Sequence, residues 1–267
     1  MRAANLLLLM LLLATAPSWA AEHPALAQAR ALYNTGDFDG AITAAAAARS
    51  DPASAAAAAL VTARSHLERF RLRSDATDLL AARDALNNVR AAALSPRDYV
   101  DLLVGLGQAL FLGETFGAAA ELFDSALDRG SLLGARDRLL LLDWWATALD
   151  REAQRLNADR RPALLALVVT RMESELRQDA GNAPANYWLA VAARGAGDVE
   201  RAWQAAIAGW VRARLNDERA EALRTDLDRF VTQVLISERA RLRPIREQQE
   251  ALTSLRAEWD SVKSQWK

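Results

Sequence analysis

Catalysis and metal binding need side chains that ionise, attack or coordinate in convergent sets, and such sets are scarce here. There is no cysteine, which excludes thiol catalysis, disulfides and zinc–thiolate sites. The two histidines, His23 and His66, are far apart in the chain and do not make a nitrogen–sulfur metal site. His23 lies near the N-terminus, and His66 sits in a helical segment beside Leu67 and Glu68, where it reads as a surface or packing residue. Glu173 and Glu175 are two residues apart and diverge on a helix. Asp143 and Asp150, seven apart with Thr147 between them, do share a face. They could act as a glycosidase-like pair only in a cleft that raises one carboxyl's pKa. Otherwise they form a polar stripe. No phosphate-binding Gly-x-x-x-x-Gly-Lys-Ser/Thr loop, Gly-x-Ser-x-Gly elbow or His-Glu-x-x-His helix is present. Gly195-Ala196-Gly197-Asp198 lacks a preceding strand and reads as an inter-helix turn. The expectation is therefore no catalytic residue, no cofactor and no metal.

The elements around these residues are helical. Apolar residues make up 52% of the 267 and charged residues 25%, enough for a packed core. Only 12 glycines and 7 prolines punctuate long Ala/Leu/Glu/Arg segments, and unbranched side chains lose little rotamer freedom in a helix. Breaks at Gly36-Asp37, Ser95-Pro96, Asn182-Pro184, Gly197-Asp198 and Pro244 delimit successive helices. Asp51-Pro52 is expected to cap and open a helix, and no segment alternates with a period of two. All-α is the predicted class.

Charge and the N-terminus narrow the setting. A net charge of −1 argues against a basic nucleic-acid binder, although nearly all cations are arginine, with lysine only at Lys263 and Lys267. Arg2, the apolar run Leu6 to Ala14 and Pro17-Ser18-Trp19-Ala20 have the form of an export signal cut after Ala20. An uncleaved anchor is the rival reading. The expected location is periplasmic or secreted, with no integral span after cleavage.

Three segments share one template of small and large apolar positions. They are Ala29, Leu32, Gly36, Phe38, Ala41, Ala48; then Gly107, Leu110, Phe116, Ala119, Phe123, Ala126; then Ala190, Ala193, Gly197, Val199, Ala202, Gly209. The template resembles the tetratricopeptide repeat, best over Val100–Leu132, with degenerate pairs at about 53–93 and 135–180. The large aromatic of the second helix is replaced by Ala45 and Ala206 in the outer copies. The resemblance implies antiparallel helix pairs in a right-handed superhelix with a concave, partner-binding face. Its inward positions, carried onto this chain, are Leu26, Arg30 and Tyr33, then Val104, Gln108 and Phe111, and then Tyr187, Val191 and Arg194. Asp143, Thr147 and Asp150 join them if Ala146 is the small residue of a degenerate pair.

Residues 1–20 are thus expected to be a signal peptide, 21–215 repeats, and 216–267 helices that cap the solenoid. Ile245, Leu252, Leu255, Trp259, Val262 and Trp266 form one apolar stripe suited to that cap. The functional expectation is an exported, non-catalytic scaffold for a protein or peptide partner. The alternatives are an enzyme or small-ligand binder using the acidic residues, or a membrane-peripheral structural protein.

Overall fold

A computed structural model describes residues 22–216 and 218–267, so the predicted signal segment lies outside the described residues. Among these residues the chain is helical, without strands. The helices are α1 (Pro24–Asn34), α2 (Phe38–Ala48), α3 (Ala55–Arg73), α4 (Ala76–Asn87), α5 (Pro96–Leu112) and α6 (Phe116–Leu127). There follow α7 (Ala135–Arg155), α8 (Arg161–Gln178), α9 (Ala183–Gly195), α10 (Val199–Arg212), α11 (Ala220–Phe230), α12 (Ile236–Arg241) and α13 (Gln248–Gln265).

Local chemistry sets the helix starts. Asp37, Ser95, Asn182 and Asp198 each accept a hydrogen bond from the backbone N–H three residues on, at 2.9–3.1 Å. Asp51-Pro52 behaves differently from expectation. Asp51 accepts from Ser54 Oγ at 2.6 Å and from the Ala53 N–H at 3.1 Å, closing a turn, and α3 begins only at Ala55. His23 caps α1, its Nδ1 accepting from the Ala25 N–H at 3.2 Å.

Each second helix packs on its own first helix and on the next one, so the pairs stack as a solenoid. Pair α7/α8 is the looser one, with α8 leaning mainly on α9. Small residues permit the close approach. Ala29, Ala41, Ala45 and Ala48 are fully buried between α1, α2 and α3. At Gly107 even a methyl group would stand 2.5 Å from the Phe123 ring, so α6's aromatic fills the space that glycine leaves. Gly36 and Gly197 take positive φ (84° and 93°) in the turns between paired helices. In the middle copy that conformation falls on Glu114 (φ 60°), one residue beyond Gly113.

The C-terminal region departs from hairpin stacking. α11 and α12 are one helix interrupted by a π-helical segment, Val231–Leu235, and α13 folds back on it. Trp259 and Trp203 are fully buried against each other, with ring centroids 6.2 Å apart. Trp259 Nε1 donates to Asp228 at 2.8 Å, and Trp203 Nε1 to Glu258 at 2.9 Å. Burying an indole contributes about 4–6 kcal/mol as an upper bound. Leu255 and Trp259 thus pack α13 onto the core beside α10, with Leu252 and Val262 alongside. Ile245 does not join them. It precedes α13 in a tight turn and is 88% exposed.

Candidate partner-binding groove

The first helices α1, α3, α5 and α7 stand side by side and line a cavity of about 840 Å³. Its walls are tied to one another. Arg30 Nη2 donates to Asp98 at 2.6 Å, and Asp98 also accepts from Ser95 Oγ at 2.7 Å, linking α1 to the start of α5. The Arg64 guanidinium lies 4.7 Å over the Tyr33 ring, and its Nη1 meets Asp101 at 3.0 Å. Burial raises the Tyr33 hydroxyl's pKa, keeping it a neutral donor. Arg97 donates to the Leu132 carbonyl at 2.6 Å and to Asp137 at 2.9 Å.

Other lining groups are free for a ligand. Among the described residues, Gln108 and Arg136 make no side-chain hydrogen bond. Leu140 is exposed in the same wall, beside Trp144. Trp145 turns the other way, into the core. The lining therefore mixes aromatic and aliphatic surface with arginines whose charge is mostly balanced by Glu68, Asp98, Asp101 and Asp137.

The predicted inward residues divide into two groups. Arg30, Tyr33, Val104 and Gln108 line this cavity. Phe111 lies just behind it, edge-on to Phe116 at 5.0 Å and to Trp144 at 4.9 Å, while Leu26 is buried in the core. Asp143, Thr147, Asp150, Tyr187 and Arg194 sit further along the solenoid, engaged with neighbours. Asp143 accepts from Trp188 Nε1 at 2.7 Å, and Thr147 Oγ1 donates to the Asp143 carbonyl at 2.7 Å. Asp150 accepts from Gln154 at 2.6 Å, and burial raises its pKa. Tyr187 stacks edge-on with Trp188 and Phe230, at 5.6 and 6.4 Å. Arg194 pairs with Glu238, whose pKa that hydrogen bond lowers. Neither Asp143 nor Asp150 lines the groove cavity.

The tetratricopeptide-repeat family model matches residues 26–76 and 67–132, from α1 through α6. Residues 26–132 are thus tetratricopeptide-like repeats. No curated protein and no solved structure matches it significantly. Tetratricopeptide repeats in general mediate protein–protein contacts and are not catalytic. The helix pairs continue past the matched segment to α10, so the described residues form an all-α, TPR-like solenoid followed by the C-terminal helices.

The repeat template also explains which groove residues the sequence reading missed. Leu60, Arg64, Glu68 and Arg71 all come from α3, whose pair was too degenerate to be given inward positions. Taking the buried Ala63 as its small residue yields Leu60 and Arg64, along with Leu67, which is buried in the core instead. His66 forms a tie between α3 and α4 instead, with Nδ1 2.8 Å from the buried Asp78. Among the described residues, no three metal-ligating side chains converge, and no helix is long and apolar enough to cross a membrane.

Proposed function

We propose that this chain is an exported, non-catalytic scaffold that holds a protein or peptide partner in the groove between α1 and α7. One observation carries the reading: the inner face of the repeats is open over about 840 Å³ and, among the described residues, leaves Gln108 and Arg136 without a side-chain hydrogen bond and Leu140 exposed. That volume accommodates several side chains of an extended or helical segment. The wall chemistry of tyrosine, tryptophan, leucine and arginine is the composition that supplies interface anchors. Export rests on residues 1–20, whose charge and apolar run have the form of a cleavable signal.

The test is a pull-down from cell-envelope extract with the tagged chain and with Arg136→Glu/Leu140→Asp. Both residues are exposed, so folding should be unaffected. A partner retained by the parent chain and lost by the double variant is the expected result. Equal capture by both would place the partner elsewhere. Mass spectrometry of the cell-envelope or secreted protein should find Ala21 at its N-terminus, and an intact residue 1 there would refute cleavage.

A further inference from the structure

The turn between α12 and α13 has a feature the groove does not require. Arg241-Leu242-Arg243-Pro244-Ile245-Arg246 places two aliphatic side chains in solvent, Leu242 at 67% and Ile245 at 88% exposure. A soluble surface tolerates single exposed aliphatics. Here two stand in one turn, and the turn is closed by hydrogen bonds. The Arg243 N–H donates to the Ala240 carbonyl at 3.0 Å, the Glu247 N–H to the Pro244 carbonyl at 2.8 Å, and Gln248 Nε2 to the Arg243 carbonyl at 3.1 Å. Pro244 fixes its own φ between them. Below the turn, Ile236, Ala240, Leu255 and Trp259 are buried and anchor both stems.

The charge within the turn itself has one sign, with Glu238 and Glu247 just outside its two ends. Arg241 and Arg243 make no ion pair among the described residues, and Arg246, 86% exposed, meets only its neighbour Glu247 at 3.3 Å. No acid occurs from Arg241 to Arg246. Two aliphatic tips offer far less area than the roughly 800 Å² per partner of a stable protein interface. A lipid surface asks for less: apolar tips enter the headgroup layer while arginines pair with anionic phosphates. We propose that the α12–α13 turn docks reversibly on an anionic membrane surface, with Leu242 and Ile245 as the wedge and Arg241, Arg243 and Arg246 as the headgroup contacts. This proposal is independent of the groove reading.

Because the chain has no cysteine, Ile245→Cys gives a single site for an environment-sensitive fluorophore. With vesicles containing about 30% phosphatidylglycerol, emission at position 245 should shift to the blue. Phosphatidylcholine vesicles should leave it unchanged, and high salt should reverse it. A label at Ser50→Cys, exposed at the other end of the solenoid, should report nothing. Adding Arg241→Gln/Arg243→Gln/Arg246→Gln should weaken vesicle affinity on the order of 100-fold with an unchanged helical spectrum. No shift at 245, an equal shift at 50, or unaltered affinity in the arginine variant would each overturn the proposal. So would a response at 245 to an added protein but not to vesicles.

Discussion

The two halves of the solenoid use one packing template in different ways. From α1 to α6 the small residues of the repeat leave a lean core: Leu26 and Val61 among alanines at the first pair, and Phe123 against Gly107 at the third. The inner face there, together with the first turns of α7 that carry Arg136 and Leu140, remains open. Beyond those turns, tryptophans fill the core, and the inner face is committed to itself through Asp143–Trp188, Tyr187–Phe230 and Arg194–Glu238. The comparison shows that repeat spacing sets the backbone stacking, whereas side-chain size and pairing decide whether the concave face stays available. The open half should be the less stable of the two, because its alanines each bury less apolar area than the tryptophans of the other half.

The largest test concerns the cap. Of the eight tryptophans, seven lie from Trp144 onward, so their fluorescence reports mainly on the second half. Circular dichroism reports on all helices. In urea the helical signal should begin to fall before the tryptophan signal, as the alanine-rich end unfolds first. Trp259→Ala removes a fully buried indole and its bond to Asp228, and should destabilise the second half by about 3–5 kcal/mol. The order of the two transitions should then reverse. Coincident transitions in the parent chain would erase the distinction between the halves.

Next comes Gly107→Ala, which forces a methyl group against Phe123 and should cost about 1–3 kcal/mol in the first half only. A smaller effect, of opposite sign in two repeats, is expected at the turn position with positive φ. Gly36→Ala, with open space but φ 84°, should destabilise by about 1 kcal/mol. Glu114→Gly relieves φ 60° and should stabilise by a few tenths of a kcal/mol, its exposed pair with Arg155 contributing little. Thermal or urea melts check each of these.

The smallest effect is acid lability of the second half. Hydrogen bonding to Arg194 holds the Glu238 carboxyl below its usual range. Burial alone would raise Asp228, but hydrogen bonds from Trp259 and Lys263 outweigh it and hold Asp228 low as well. A depressed folded pKa contributes stability that is complete above the unfolded value and lost as pH falls through the folded one. Tryptophan-detected stability should therefore decline as pH drops through about 4.5 and below. Glu238→Gln should flatten part of that decline, and an identical acid limb would dismiss the Arg194 tie.

The fold was legible because helix caps and small residues are local signals. Asn182, Ser95 and Asp198 announce helix starts, and Ala29, Gly107 and Ala190 mark close approach. Inward positions were assigned only where a repeat kept its template, so they coincide with the cavity wall at Arg30, Tyr33 and Gln108 and pass over Arg64 and Leu140. No sequence rule shows that Tyr187 and Arg194 would be engaged by Phe230 and Glu238, because those partners lie beyond the repeats and arrive through tertiary packing. Likewise, the stripe beginning at Ile245 assumed a helix that starts three residues later, at Gln248. One misplaced boundary turned an exposed wedge into an apparent core residue.

The open inner face between α1 and the start of α7 is the point on which the rest turns, and site-specific photo-cross-linking in living cells tests it most directly. A photoreactive residue at Gln108 or Leu140 should give a discrete partner adduct, and the same probe at Val191 on the committed face should give none. Adducts from Val191 with none from Gln108 or Leu140 would contradict the account.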